Sequence, residues 1–203
     1  MVIKIDVDGV IRNINETMCK LYNDLFDENL TVNDITDYDV EKVFKRIKDE
    51  IGMDAVDYFF NWRARDVFLY SNPYENVKEA IEKLRNEGHK VVIVTWQYNL
   101  QNKFYTLMFF NNNGIAYDDI CFTRDKWMIQ GDWLIDDNPE FITDKRDKSK
   151  KIIIDMPYNK ECKGYKRKNN LKEAIDYIIN EENITIWKEI IEERDKRKKE
   201  HPF

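Results

Sequence analysis

The chain has 203 residues, 42% of them apolar and 35% charged, and carries a formal net charge of −6. That length holds one ordinary domain with at most a sizeable insertion, and the composition is that of a globular protein with a heavily charged surface. The negative balance argues against generic nucleic-acid binding, no apolar run approaches the roughly 20 residues that span a bilayer, and the two histidines and two serines sit in no setting for a Ser–His triad.

The chain opens "MVIKIDVDGVI", a strand-length apolar run ending at Asp6, with Asp8 and Gly9 close behind. Residues 12–72 follow, far longer than an ordinary crossover, rich in helical patterns and holding the aromatic cluster "DYFFNWRARDVFLY". They read as a small helical cap inserted after the first strand. At helical spacing Tyr58, Phe59, Phe60 and Trp62 cannot all face one way, so some of them belong to the cap's own core.

Beyond the insertion, strand and helix alternate. Residues 75–87 read as a helix with Val77, Ala80, Ile81 and Leu84 on one face and Gly88 at its end. Runs at 91–94, 120–122, 133–135 and 152–154 join 2–5 as strands, apolar rather than alternating, the pattern of strands covered on both faces. Residues 98–112 read as a helix with Leu100, Phe104, Leu107 and Met108 on its packed side and "NNNG" as the stop. The expected fold is α/β: a doubly wound, Rossmann-like, five-stranded parallel sheet. Its core comprises 1–11 and 73–180, the cap 12–72, and a charged C-terminal helix or tail 181–203. Basic stretches around "TDKRDKSKK" and "NKECKGYKRKNN" are expected to be solvated loops beside the fifth strand.

In such a sheet, ligands bind at the carboxyl ends of the strands. Asp6 and Asp8 end the first strand, Thr95 the second, and Asp136 with Asp137 the fourth, while Lys126 follows the third. Asp132 falls before the fourth strand, because "WLI" must be the buried part. Several acids, a lysine and a hydroxyl converging on one edge make a site for a phosphate and a hard divalent cation such as Mg²⁺. A bound cation also removes the penalty of burying paired carboxylates.

These residues carry a resemblance. "DVDGV", Thr95, Lys126 and the "IDD" pair resemble the four motifs of the haloacid dehalogenase-like phosphohydrolases. "FTRDK", then "DWLIDDNPE", then a strand ending in "DMPYN", is similar to the 5′(3′)-deoxyribonucleotidases and their bacterial and phage relatives. The likeness covers roughly residues 1–160. It implies a Mg²⁺-dependent phosphomonoesterase acting on 5′-(deoxy)nucleotides. Asp6 would be the nucleophile and Asp8 the general acid–base. Asp6, the Asp8 main-chain carbonyl and Asp137 would hold the metal, with Asp136 on a metal-bound water. Thr95, the Trp96 backbone N–H and Lys126 would bind phosphate, and Gly9 would let the loop turn beside it. Trp96 departs from the small residue usual after that threonine, which bears on substrate identity.

Arg124, Phe60 and Trp62 are the candidate substrate contacts. A polynucleotide-end or other small-metabolite phosphatase is the alternative within the superfamily, and a non-catalytic nucleotide-binding protein the alternative outside it. The three scattered cysteines fit reduced thiols. With no signal-peptide pattern at the start, the expectation is a cytoplasmic protein with a small-molecule partner, no membrane and no nucleic acid, a homodimer remaining open.

Overall fold

The computed structural model describes residues 1–97 and 99–200, with side chains through Glu193. Six strands form one sheet: β1 (Val2–Ile5), β2 (Lys90–Thr95), β3 (Asp119–Phe122), β4 (Trp133–Asp136), β5 (Lys150–Ile154) and β6 (Lys166–Lys168). Their order is β3-β2-β1-β4-β5-β6, and every neighbouring pair runs parallel. The helices are α1 (Ile14–Phe26), α2 (Val40–Val43), α3 (Ala55–Asp57), α4 (Ala64–Phe68), α5 (Val77–Asn86), α6 (Leu100–Asn113), α7 (Pro139–Thr143) and α8 (Leu171–Glu200). The result is a doubly wound α/β sheet with β1 near its centre and chain order reversing on either side of it.

The sixth strand corrects the expected five. Its residues, Lys-Arg-Lys, lack the apolar signature because β6 is an edge that needs only β5. Arg167 fixes it by donating to Asp155 at 2.8 Å and to Asn159 Oδ1 at 2.6 Å. Lys166 and Lys168 lie over the Tyr177 ring at 4.9 and 4.7 Å. Part of the basic stretch is therefore sheet, not loop.

Ile3 and Ile5 of β1 join Val91, Ile93, Ile135 and Ile152 in one apolar cluster, closed by Val77, Ala80, Ile81 and Leu84 of α5 and by Ile175 and Ile178 of α8. Burying each such aliphatic side chain contributes about 1.5–3 kcal/mol. Lys4, between the two isoleucines, breaks the apolar pattern yet has no exposure. Its ammonium donates to Asp147 at 2.6 Å, to the Ile129 carbonyl at 3.0 Å and to the Lys126 carbonyl at 3.3 Å. Lys4 thereby ties the turn that carries Lys126 to the central strand.

Helix α6 lies with a different side inward than its apolar residues suggest. Leu100, Phe104 and Leu107 are exposed, while Asn102, Thr106, Phe109 and Phe110 are buried. The polar pair has partners that decide the rotation: Asn102 Nδ2 donates to the Phe60 carbonyl at 3.0 Å, and Thr106 Oγ1 accepts from Arg12 at 3.2 Å. These partners draw Asn102 and Thr106 inward on the same side as the buried Phe109 and Phe110.

Between β1 and α5 a second apolar cluster gathers Met18, Tyr22, Phe44, Ile47, Phe59 and Phe68. Two π-helical turns, Ile47–Ile51 and Tyr58–Trp62, interrupt the α-helical pieces of this segment. The wider turn sorts the aromatic run: Tyr58 and Phe59 are buried, Phe60 is half-buried, and Trp62 is 64% exposed. No helix among the described residues is long and apolar enough to cross a membrane.

Candidate active site

Strand register sets the site. Ile5 pairs with Ile93 on one side and Ile135 on the other, so Asp6, Thr95 and Asp136 leave the sheet at its carboxyl edge. Asp6 N donates to the Ile135 carbonyl at 3.0 Å, extending the ladder one step past the strand. The chain then turns: Ile11 N and Arg12 N both donate to the Val7 carbonyl at 2.8 Å. Gly9 sits there at φ +81°, and a Cβ on it would collide with the Asp137 carboxylate, so only glycine fits.

Asp6, Asp136 and Asp137 are buried, and each offers a carboxylate oxygen within 4.8 Å of the others. Lys126, buried in the turn after β3, donates to Asp6 Oδ1 at 2.6 Å and to Asp136 Oδ2 at 2.7 Å. Asn138 N donates to Asp136 Oδ1 at 3.0 Å. Burial pushes Asp6 up to about 7 although Lys126 opposes the rise, and Asp136 and Asp8 add to it. Burial, then Asp136 and Asp6, push Asp137 well above the carboxylate range. For Lys126, burial favours the neutral amine, but the two carboxylates outweigh it and hold the ammonium above its ordinary value. Three buried acids against one lysine leave negative charge uncompensated. This hard-oxygen donor set suits Mg²⁺ and has the charge deficit that a divalent cation fills.

Asp8 points elsewhere. Arg12 Nε donates to its Oδ1 at 2.7 Å and Gln97 Nε2 to its Oδ2 at 2.7 Å. Arg12, wholly buried, also donates to the Phe68 carbonyl at 2.5 Å and stacks between the Phe68 and Phe109 rings at 5.0 and 5.1 Å. Its sequence position, an isolated charge six residues past Asp6, gave no sign of this. Gln97 is buried too, two residues beyond Thr95, and carried no motif signal.

The "DMPYN" stretch, noted for its likeness but assigned no task, proves to brace the fourth-strand acids. Tyr158 O–H donates to Asp137 Oδ2 in a short bond. Asn159 Nδ2 donates to the Asp137 carbonyl and to the Ile154 carbonyl, both at 2.7 Å. Asn15 of α1 and Tyr38 reach the same tyrosine, Asn15 Nδ2 at 3.5 Å and the Tyr38 ring at 5.6 Å between centroids.

A cavity of about 350 Å³ opens above these groups. Asp8, Gly9 and Asp137 line one side, and Ile14, Met18, Ile35, Val56, Phe60 and Phe68 supply apolar wall from the opposite segment. Trp96, Gln97, Tyr38 and Tyr158 complete the rim with Asp37 and Asp39, and no lysine or arginine lines it among the described residues. Of the sequence candidates for substrate contact, Phe60 lines the cavity, whereas Trp62 and Arg124 do not. Arg124 lies over the Trp96 ring at 5.2 Å and pairs with Glu140 at 2.9 Å on the surface. Thr95 is buried at the end of β2, and Asp132 lies at the far edge, accepting from Val2 N at 2.7 Å.

Comparison with known proteins gives the chain a family and a fold. A 5′(3′)-deoxyribonucleotidase from Clostridium acetobutylicum is 24% identical over 170 residues, 84% of this chain and 90% of its own. The crystal structure of a predicted phosphatase from the same organism superposes with a TM-score of 0.59 at 14% identity, covering 88% of this chain and 98% of that one. L-2-haloacid dehalogenase from Xanthobacter autotrophicus gives 0.57 at 8% identity, covering 87% and 97%. These two structures share the fold. The family model described as 5′ nucleotidase, deoxy (pyrimidine), cytosolic type C protein matches residues 1–184. The chain therefore belongs to that nucleotidase family of haloacid dehalogenase-like phosphatases, enzymes whose substrates are small phosphate esters.

Proposed function

We propose that the chain hydrolyses 5′-(deoxy)nucleoside monophosphates with Mg²⁺ through a phosphoaspartate on Asp6. The observation that carries this reading is the buried trio Asp6, Asp136 and Asp137 around the single ammonium of Lys126. A bound Mg²⁺, held by Asp6, the Asp8 carbonyl and Asp137 with Asp136 behind it, would screen the phosphate dianion from the attacking carboxylate. Lys126 occupies Asp6 Oδ1, so Oδ2 is the oxygen that attacks phosphorus. The P–O bond to the leaving group breaks as the Asp6 O–P bond forms. Asp8 protonates the departing alkoxide, then takes a proton from the water that cleaves the acyl phosphate. Lys126 balances charge as it spreads over the phosphoryl oxygens, beside the Thr95 hydroxyl and the Trp96 N–H.

Residues 12–72 act as the cap, and the leaving group lies against its apolar wall. The cavity volume, about 350 Å³, suits one nucleoside. A lining without lysine or arginine favours a leaving group with no further phosphate, and gives a polynucleotide backbone nothing to bind. The test is phosphate release from a panel of 5′- and 3′-deoxynucleoside monophosphates, their 5′-diphosphates, sugar phosphates and a 5′-phosphorylated oligonucleotide. Highest kcat/KM on a deoxynucleoside monophosphate supports the reading, and preference for a sugar phosphate or the oligonucleotide refutes it.

A further inference from the structure

Lys4 stands two residues before Asp6 on the central strand, and side chains two apart on an extended strand lie on the same face, about 7 Å from one another. Lys126 meets both of them. Its ammonium donates to Asp6 at 2.6 Å and to Asp136 at 2.7 Å, while its own carbonyl accepts from the Lys4 ammonium at 3.3 Å. The Lys4 ammonium also donates to the Ile129 carbonyl at 3.0 Å. One lysine of β1 therefore grips the backbone of the turn whose own lysine reaches the acids.

The turn has few other ties to the sheet. Thr123 N donates to the Thr95 carbonyl at 2.9 Å, and Asp132 N to the Val2 carbonyl at 2.8 Å. Between those two points, among the described residues, the backbone groups of 124–130 bond within the turn itself, apart from the two carbonyls that Lys4 holds. Lys126 is the one buried residue in that stretch.

The anchor is closely built. Lys4 and Asp147 are both buried, with 2.6 Å between ammonium and carboxylate. Asp147 Oδ1 accepts from Ser149 N at 3.0 Å. A Cβ on Gly131 would stand 2.8 Å from Lys4 Cγ, so the end of the turn packs directly on the lysine stem. A buried ion pair commonly adds no stability over an apolar pair of the same shape. What an apolar pair cannot do is donate to two carbonyls.

We infer that Lys4 is a positioning residue for phosphoryl transfer: by holding the Lys126 carbonyl it sets where the Lys126 ammonium stands between Asp6 and Asp136. Lys4 acts through Lys126 and touches no substrate. Asp147 is its counter-ion. The effect on rate rests on the phosphatase reading above, in which Lys126 balances the charge that spreads over the phosphoryl oxygens. A small displacement of such a group slows the chemical step.

The test compares the full-length native chain with two variants in Mg²⁺. Asp147→Asn removes the counter-ion and keeps the grip, because a neutral Lys4 amine still has two N–H groups for the two carbonyls. Its urea midpoint should fall and its kcat should stay near the native value. Lys4→Met with Asp147→Leu replaces the ion pair by an apolar pair of similar shape. Its urea midpoint should be at or above that of Asp147→Asn, yet its kcat should drop about ten-fold or more. The drop should be the same for a deoxynucleoside 5′-monophosphate and for p-nitrophenyl phosphate, with little change in KM, since only the phosphoryl end is affected. The less stable variant is then the more active one, an order that a purely structural role for the pair does not give. A double variant with native kcat overturns the inference, as does kcat that follows the urea midpoint across the three proteins.

Hydrogen–deuterium exchange reads the grip without turnover. A peptide covering 124–130 should exchange faster in the double variant and at the native rate in Asp147→Asn. Unchanged exchange in the double variant overturns the inference whatever the rates. A native chain that releases phosphate from no ester refutes the phosphatase reading instead, and the exchange comparison still decides whether Lys4 holds the turn.

Discussion

Arg12 and Asp8 form an ion pair at 2.7 Å in which the guanidinium is wholly buried and the carboxylate retains some exposure. The pair joins three parts of the molecule: the loop after β1, the Phe68 carbonyl and Thr106 of α6. It fixes where Asp8 stands relative to the cavity. Arg12→Met should therefore lower stability by roughly 3 kcal/mol, the scale for breaking a buried pair. It should also slow turnover by about ten-fold or more, because a displaced acid–base group is out of line with the leaving oxygen. Urea unfolding and steady-state rates check the two effects separately. Asp8→Asn should cost at least about 10²-fold in kcat, the scale of a missing general acid–base.

Phe60 and Trp62 are adjacent in the aromatic run but differ in place. Phe60 lines the cavity, and Trp62 packs edge-on against Tyr58 at 5.4 Å on the outer side. Phe60→Ala should raise the KM for a nucleotide by about ten-fold, losing a stacking surface worth roughly 1–3 kcal/mol. It should barely affect p-nitrophenyl phosphate. Trp62→Ala should leave both substrates unchanged. Equal losses on the two substrates in Phe60→Ala would place that ring in the insertion's packing rather than in substrate contact.

Tyr158 acts through Asp137. Removing its hydroxyl in Tyr158→Phe should weaken Mg²⁺ binding by about ten-fold, as loss of a hydrogen bond behind a ligand commonly does. Titrating activity against Mg²⁺ should show a higher half-saturation with the maximal rate largely kept.

Much of the site was legible because its motifs are contiguous. Asp6, Asp8, Thr95, Lys126, Asp136 and Asp137 each end or follow a recognisable strand, and strand ends of a parallel sheet converge by topology. Arg12, Gln97 and Tyr158 were not legible, since their importance comes from partners far along the chain: Gln97 and Asp8 are 89 residues apart, and Tyr158 and Asp137 are 21 apart. Lys4, inside a run read as apolar, is buried because Asp147 lies beside it, 143 residues along the chain. Helix α6 misled for the same reason: Arg12 and the Phe60 carbonyl draw Thr106 and Asn102 inward beside Phe109 and Phe110, a face that its apolar spacing did not single out. Strand β6 escaped notice because an edge that pairs on one side needs no apolar run.

The raised Asp6 makes a pH prediction with a definite sign. Its folded pKa of about 7 exceeds the ordinary 3.8, so its contribution to stability is full below 3.8 and is lost as pH rises toward 7. In chelator the protein should therefore have a lower Tm at pH 8 than at pH 5.5. Mg²⁺ should raise Tm more at pH 8, where it neutralises the ionised acids, than at pH 5.5, where it must displace protons. Differential scanning fluorimetry with and without Mg²⁺ at the two pH values measures this, and an equal shift at both would show that these acids do not govern metal binding.

The central claim is that Asp6 performs metal-assisted attack on a phosphate monoester. Its most direct test is phosphate release from a deoxynucleoside 5′-monophosphate by the native chain and by Asp6→Asn, each with Mg²⁺, with chelator, and with Mg²⁺ restored. The account predicts release by the native chain only when Mg²⁺ is present, recovered on restoring it, and none by Asp6→Asn, which should stay folded because the amide still accepts from Lys126. Undiminished release by Asp6→Asn, or by the native chain in chelator, would contradict it.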